Sequence, residues 1–279
     1  MTTSTTSGGV PEPLFPATEQ WGRDLEMWGV PTHIVDQAPE SPAPESTWFH
    51  EIGRCSVEQP IDRDGQSHRW AREVLPPVGG TVLDVGCGGG RSTMPLVPPA
   101  TEVVGVDTSG MMLDAFVAAM SAAGVARRTV HGEWPLVAPH TPVADVVVCH
   151  HVVFDVGDIA PFLLALTDHA RLAVVMEVPV RHPMSAWAGA WRHFWNVERP
   201  AGPTLGGLLA VLREIGVDPE HQEFARDVSP FVVDEHSVAV ARRRLCLSAE
   251  RDAELADWLN RHPPPLVDRY ATVRWPGDG

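Results

Sequence analysis

From residue 81 onward the chain alternates short apolar runs with stretches of helical periodicity, and that rhythm leaves few folds open. "TVLDVG" (81–86), "TEVVGVD" (101–107), "ARRTVH" (126–131), "ADVVVCH" (144–150) and "LAVVMEV" (172–178) read as strands. Between the second and third of these, Met112, Leu113, Phe116, Val117 and Met120 recur at helical spacing, with Ser109 as N-cap and Gly124 as terminator. Asp158 opens another helix. Thr204 caps a third, in which Leu205, Leu208, Leu209, Leu212 and Ile215 share one face. Short apolar strands in this alternation predict a parallel sheet covered on both faces, a doubly wound α/β fold. In the tail, "HQEFARD" (221–227) reads as a strand, 234–262 as two helices at the sheet's edge, and "YATVRW" (270–275) as a final strand.

The N-terminal quarter is different. Residues 1–16 are polar and proline-rich, which predicts a disordered lead-in. A helix is expected near 17–28, followed by "PTHIVDQAPESPAPES", whose prolines break regular structure. A further helix from Ser67 to Leu75 stops at Pro76 and Pro77. Residues 17–76 thus form a helical attachment, a candidate lid, to a main domain spanning 77–279 with a helical insertion at 234–262.

Charge narrows the partners. Twenty-one basic residues, all arginine, against 36 acidic ones leave a net charge of -15, a surface that repels polyanions and predicts no nucleic-acid partner. No apolar run approaches the ~18 residues of a membrane helix, and the N-terminus carries no secretion pattern, so no membrane partner and a cytoplasmic location are expected. Cys55, Cys87, Cys149 and Cys246 lie far apart, which predicts reduced thiols rather than disulfides or a zinc site.

The first strand runs into "VLDVGCGGGRS" (82–92), a turn nearly without side chains. In an open parallel sheet the first strand-turn unit lies at the switch in strand order, where ligands bind, and glycine lets a ligand approach the main chain. A dinucleotide fingerprint requires a third glycine where Arg91 stands. Asp84-x-Gly86-x-Gly88-x-Gly90 instead resembles the first motif of class I S-adenosylmethionine-dependent methyltransferases of the small-molecule type. The resemblance extends over about residues 67–230.

That resemblance implies a seven-stranded, mostly parallel, Rossmann-like sheet and S-adenosyl-L-methionine as cofactor. Asp84, Gly86, Cys87, Gly88 and Gly90 would wrap its methionine and ribose portions. Asp107, 21 positions after Gly86, would accept from the ribose hydroxyls, its other reading being a helix N-cap. "GVDTSGMML" resembles the second motif, with Thr108 and Met112 toward the adenine. Glu133 and Trp134 would meet the adenine amine and ring, or else be a solvent glutamate and a core tryptophan. The chain departs from the family pattern at "HGEWPL", where an aspartate is common, and after the glycine loop, where Pro95 and Pro98 allow a helix of two turns at most.

Methyl transfer is an in-line displacement that depends on alignment and exclusion of water, with proton removal added for a hydroxyl or protonated nitrogen. His150 and His151 end the fourth strand where the family keeps residues near the methyl group. They are candidates for base or orienting group, with His150 also a candidate cofactor contact; both also admit a structural role. Glu177, at the end of the fifth strand, would orient a polar acceptor or cap the next turn. Trp187, Trp191 and Trp195 recur every four residues, a stripe that serves packing or, for Trp187 and Trp191, a flat apolar substrate. Neighbours in a strand face opposite ways, so His150 and His151 do not converge on a metal, and none is predicted. The expected activity is methylation of oxygen or nitrogen on a small, apolar or aromatic molecule. A non-catalytic sensor or scaffold that binds the same cofactor, and an NAD-dependent oxidoreductase, stay open as alternatives, as does a homodimer.

Overall fold

Strand residues divide cleanly between two apolar faces, and this division builds the sheet. The computed structural model describes residues 15–37, 61–77, 79–228 and 230–279. Most of the expected lead-in, most of the proline-rich stretch and Cys55 lie outside the described residues. Seven strands, β1 (Gly80–Val85), β2 (Ala100–Asp107), β3 (Ala126–His131), β4 (Ala144–His150), β5 (Ala170–Pro179), β6 (Glu220–Ala225) and β7 (Arg269–Pro276), form one sheet in the order β3-β2-β1-β4-β5-β7-β6. Strands β1 to β5 are parallel and β7 is antiparallel to both its neighbours. The order reverses between β1 and β4.

One face carries Leu83, Val85, Val147, Cys149, Val174 and Met176 into a core with the helices beneath it. Those helices are α5 (Ile159–Asp168) and α7 (Leu205–Glu214), joined by Trp21 of α1 (Ala17–Glu26). Trp21 stacks on Phe154 and donates its indole N–H to the Val156 carbonyl at 2.9 Å, which anchors α1 to the segment after β4. The opposite face carries Val82, Val103, Val146, Val148 and Val175 against α3 (Gln66–Val74) and α4 (Gly110–Ala122). A short α2 (Thr32–Val35) follows α1. The predicted caps are present: Ser109 accepts from Met112 N, and Thr204 from Gly207 N.

Between β1 and β2 there is only a single 3-10 turn, Met94–Leu96, in place of the short helix allowed by the sequence. Pro95 and the pair Pro98 and Pro99 deny the backbone N–H groups that a longer helix would use. The exposed strip of sheet is covered from elsewhere in the chain, by Ala71 of α3 and Leu75 just after it, packed with Val82 and Leu96.

A second core stands apart from the sheet. Trp28, Ile34, Trp187 and residues of α6 (Ala188–Trp195), α8 (Glu235–Arg244) and α9 (Asp252–Arg261) bury one another, with no strand residue among them. The two helices of 234–262 therefore close over α6 instead of lying along the sheet's edge, because the tryptophan stripe offers the apolar surface that the charged edge strand β6 does not. Among the described residues no helix is long and apolar enough to cross a membrane.

Candidate active site at the switch in strand order

The register places Asp84 of β1 beside Val148 of β4 across the reversal, and His150 beside Glu177 of β5, which in turn faces Thr272 of β7. Beyond these positions the chain turns through Gly86, Gly88 and Gly90, all with positive φ (73°, 48° and 90°). At Gly86 a Cβ would overlap Val152 Cγ2. At Gly90 it would stand 2.8 Å from Met120 Cε, so this third glycine serves close packing on α4 and not ligand access.

Two carboxylates fasten the turn. Asp84 is fully buried; Ser92 and Thr93 both donate to its Oδ2 at 2.6 Å, while Oδ1 is enclosed without a hydrogen bond. Burial pushes its carboxyl up to about 6, against the pull of the two hydroxyls. These hydroxyls tie the exit of the loop to β1 where a helix would otherwise hold it. Asp107, at the end of β2, accepts from Gly88 N at 2.9 Å with Oδ2 and from Ser109 N at 2.8 Å with Oδ1. The helix cap is Ser109 and not Asp107, which closes the turn before α4 and grips the glycine turn directly. Cys87 turns its thiol into the core beside Gly105, leaving only its backbone at the turn. Thr108 and Glu133 are exposed, and Met112 is buried in the first turn of α4.

Trp134 lies elsewhere. It is 6% exposed within the core, its indole N–H donating to the Phe162 carbonyl at 3.2 Å and its ring meeting His169 edge-on. This is the packing of the core alternative, with the ring enclosed instead of offered as a platform. Trp187 and Trp191 also depart from the substrate-wall expectation. Both are buried in the second core, and the guanidinium of Arg199 covers the Trp191 ring at 3.9 Å, taking the face that a flat substrate would need. Phe231 meets Trp187 edge-on.

At the ends of β4 and β5 the structure gathers more than the sequence suggested. His150, Glu177 and Thr272 share the face under α3, forming a polar seam. Glu177 is 2% exposed and accepts from Ser67 Oγ, His151 Nε2 (3.0 Å) and the Arg226 guanidinium. Burial alone would raise its carboxyl, but the His151 hydrogen bond and the Arg226 charge hold it well below the usual carboxylate range. His150 is driven by burial down to about 3, so it stands neutral. The ring of His68 on α3 lies 5.5 Å from that of His150. Arg226 sits 4.4 Å over the Tyr270 ring.

Ser67, His68, Arg226, Tyr270 and Thr272 were not singled out from the sequence. Ser67 did carry a signal: at i, i+4 it aligns with Ala71 on the buried stripe of α3, an odd place for a hydroxyl without a partner. Arg226, Tyr270 and Thr272 are brought in only by the antiparallel register of β7 with β5 and β6. Among the described residues no group of three or more His, Cys, Asp or Glu is placed to hold a metal ion.

Comparison with known proteins agrees with this geometry. A family model described as a methyltransferase domain matches residues 82–174, from β1 into β5. No curated protein matches the chain in sequence. Among solved structures, the YcgJ protein from Bacillus subtilis is similar at 13% identity and a TM-score of 0.53, covering 76% of this chain and 98% of its own. The plantazolicin methyltransferase BpumL in complex with SAH is similar at 12% identity and a TM-score of 0.52, with 94% and 99% covered. A SAM-dependent methyltransferase from Geobacter sulfurreducens in complex with S-adenosyl-L-homocysteine is similar at 19% identity and a TM-score of 0.51, with 79% and 92% covered.

Proposed function

We propose that this chain, which carries a class I methyltransferase fold with a methyltransferase domain at residues 82–174, binds S-adenosylmethionine over its glycine turn and methylates oxygen or nitrogen on a small, apolar or aromatic molecule. The observation that carries this reading is the clamp of Asp107 on Gly88 and Ser109. Each carboxylate oxygen spends one lone pair on a backbone N–H and keeps another, a fixed double acceptor suited to the two hydroxyls of a ribose.

The surroundings fit this cofactor better than a dinucleotide. Pyrophosphate recognition relies on the N-terminus of a helix after the first strand, and here that crossover has only a 3-10 turn. Asp84 and Asp107 place negative charge beside the turn, which favours an ammonium and a sulfonium and opposes phosphates. When bound, the cofactor supplies an electrophilic methyl group. Thr108, Met112 and Glu133 fall on the adenine side of Asp107, while His150, His151 and Glu177 fall beyond β4 on the acceptor side. A cytoplasmic location and a small-molecule partner belong to the same reading.

Calorimetry with S-adenosylhomocysteine tests it. The intact protein should bind, and Asp107→Ala should weaken binding by at least about tenfold, the worth of two lost hydrogen bonds. Absence of heat, an unaffected Asp107→Ala variant, or stronger thermal stabilisation by NAD would overturn the proposal. Formation of S-adenosylhomocysteine from the methylated cofactor with a panel of acceptors separates enzyme from sensor.

A further inference from the structure

The N-terminal end of α3 overhangs the ends of β4 and β5, and one of its side chains has a protonation state set by geometry. His68 Nδ1 lies 2.8 Å from the Asp62 carbonyl oxygen. A carbonyl oxygen only accepts, so Nδ1 carries the proton, and Nε2 of the neutral ring is a bare lone pair. That Nε2 is enclosed and makes no hydrogen bond, and the same is true of His150 Nε2 on the facing ring. A buried polar nitrogen left unsatisfied costs about 1–3 kcal/mol, and two of them on adjacent rings, the His68 acceptor among them, call for a ligand that can bond both. The backing is in place: Ser67, the next residue on α3, is bonded to Glu177 and Thr272, which fixes the helix end over the strands.

We propose that His68 is a catalytic residue whose Nε2 receives the proton of a neutral hydroxyl acceptor, with His150 lining the opposite side of that hydroxyl. This deepens, and rests on, the methyltransferase reading above. As the acceptor oxygen's lone pair forms the new carbon–oxygen bond, the carbon–sulfur bond breaks with its electrons passing to sulfur. The hydroxyl proton passes to His68 Nε2. Reactants and products each carry one net positive charge, first on sulfonium and then on imidazolium. Glu177 and Asp62 favour that imidazolium, while Arg72 and burial oppose it, so His68 sits below its ordinary value and waits neutral. An anionic acceptor is disfavoured, because it brings no donor to the bare nitrogen of His68 and would face the Glu177 carboxylate.

The test uses the full chain with 15N-labelled histidine and saturating S-adenosylhomocysteine, with phenol as the hydroxyl probe. Long-range proton–nitrogen spectra should show His68 as the Nδ1–H tautomer, and phenol should shift its Nε2 resonance toward the hydrogen-bonded position. His68→Phe should bind phenol at least about tenfold more weakly while S-adenosylhomocysteine affinity stays unchanged, which also reports that the variant is folded. A proton on Nε2, an Nε2 resonance indifferent to phenol, or equal phenol binding by the variant overturns the proposal. Those results with cofactor binding intact sink the role of His68 alone, whereas no S-adenosylhomocysteine binding by the unaltered protein sinks the reading beneath it.

Discussion

His151 is bound twice to Glu177: its backbone N–H donates to the Glu177 carbonyl at 2.8 Å, and its ring Nε2 donates to Oε1 at 3.0 Å. The residue takes φ of 63° to do so, a left-handed conformation that a non-glycine residue adopts at a cost of about 1 kcal/mol or more. Ends of β4 and β5 are thereby locked at the point where the acceptor would sit, and Glu177 becomes the hub of the seam.

Removing that hub should be felt in stability with a definite pH dependence. Because the folded-state value of Glu177 is depressed, its stabilisation is present above the unfolded carboxylate range and is lost as pH falls toward the folded value. Glu177→Gln should lose roughly 2–3 kcal/mol at about pH 7, less than a fully buried pair because Arg226 keeps contact with water. Urea unfolding of both proteins should show the gap narrowing at about pH 4 and below; a gap constant with pH would contradict the charge role.

Asp84 has the opposite sign. Its folded value is raised to about 6, so its contribution is complete below the unfolded carboxylate range and drains as pH rises through 6. Holding this carboxylate ionised in the free protein costs on the order of 3 kcal/mol at alkaline pH. Asp84→Asn should therefore be as stable as the parent or more so near pH 8, despite an amide NH2 whose two N–H groups lack acceptors. An ammonium near the turn favours the ionised form. S-adenosylhomocysteine affinity should thus fall below about pH 6 in the parent and be weaker and flat in the variant. Calorimetry across pH reads both, and identical profiles would rule out charge recognition by Asp84.

The sheet was legible because each strand's apolar pattern is local: Val82 to Val85 and Val146 to Cys149 declare burial on both faces without help from the rest of the chain. The glycine turn and Asp107 were legible for the same reason, as spacing along a single strand-turn-strand unit. What the pattern could not separate was why an aromatic residue is buried. Trp134 and Trp191 have the composition of a ligand wall, yet a buried indole needs only one carbonyl or one guanidinium; Phe162 supplies the first from α5 and Arg199 the second from the loop after α6. The seam under α3 was hidden for a related reason. Ser67, Glu177, Arg226 and Thr272 come from four elements and meet only through register, and no local spacing encodes that meeting.

The two outer glycines of the turn should respond differently to the same substitution. Gly86→Ala forces a Cβ into Val152 Cγ2 and keeps φ at 73°, so strain and collision add. A loss of about 2–4 kcal/mol is expected, with displacement of the segment that carries His150 and His151. Gly90→Ala meets the flexible end of Met120 at 2.8 Å and the edge of the Phe116 ring at 3.3 Å, and should lose less, about 1–2 kcal/mol, mostly from its φ of 90°. Adding Val152→Ala should recover part of the Gly86→Ala loss by removing the collision, leaving the backbone strain. Thermal unfolding of the three variants decides this; equal losses at Gly86 and Gly90, or no recovery from Val152→Ala, would mean that the turn is not pressed against the β4 segment as described.

Trp191→Ala separates a packing residue from a substrate wall. The side chain is 1% exposed at the centre of the second core and carries Arg199, whose guanidinium also ties the end of α1 through the carbonyls of Met27, Trp28 and Gly29 at 2.9–3.1 Å. Emptying this site should cost about 3–5 kcal/mol and release the cap helices. S-adenosylhomocysteine binding, which depends on β1 and β2 on the far side of the sheet's reversal, should be retained at temperatures where the domain stays folded. A variant of undiminished stability would show that Trp191 is spare surface and return it to the list of substrate contacts. Lost stability with retained cofactor binding assigns it to the architecture of the cap.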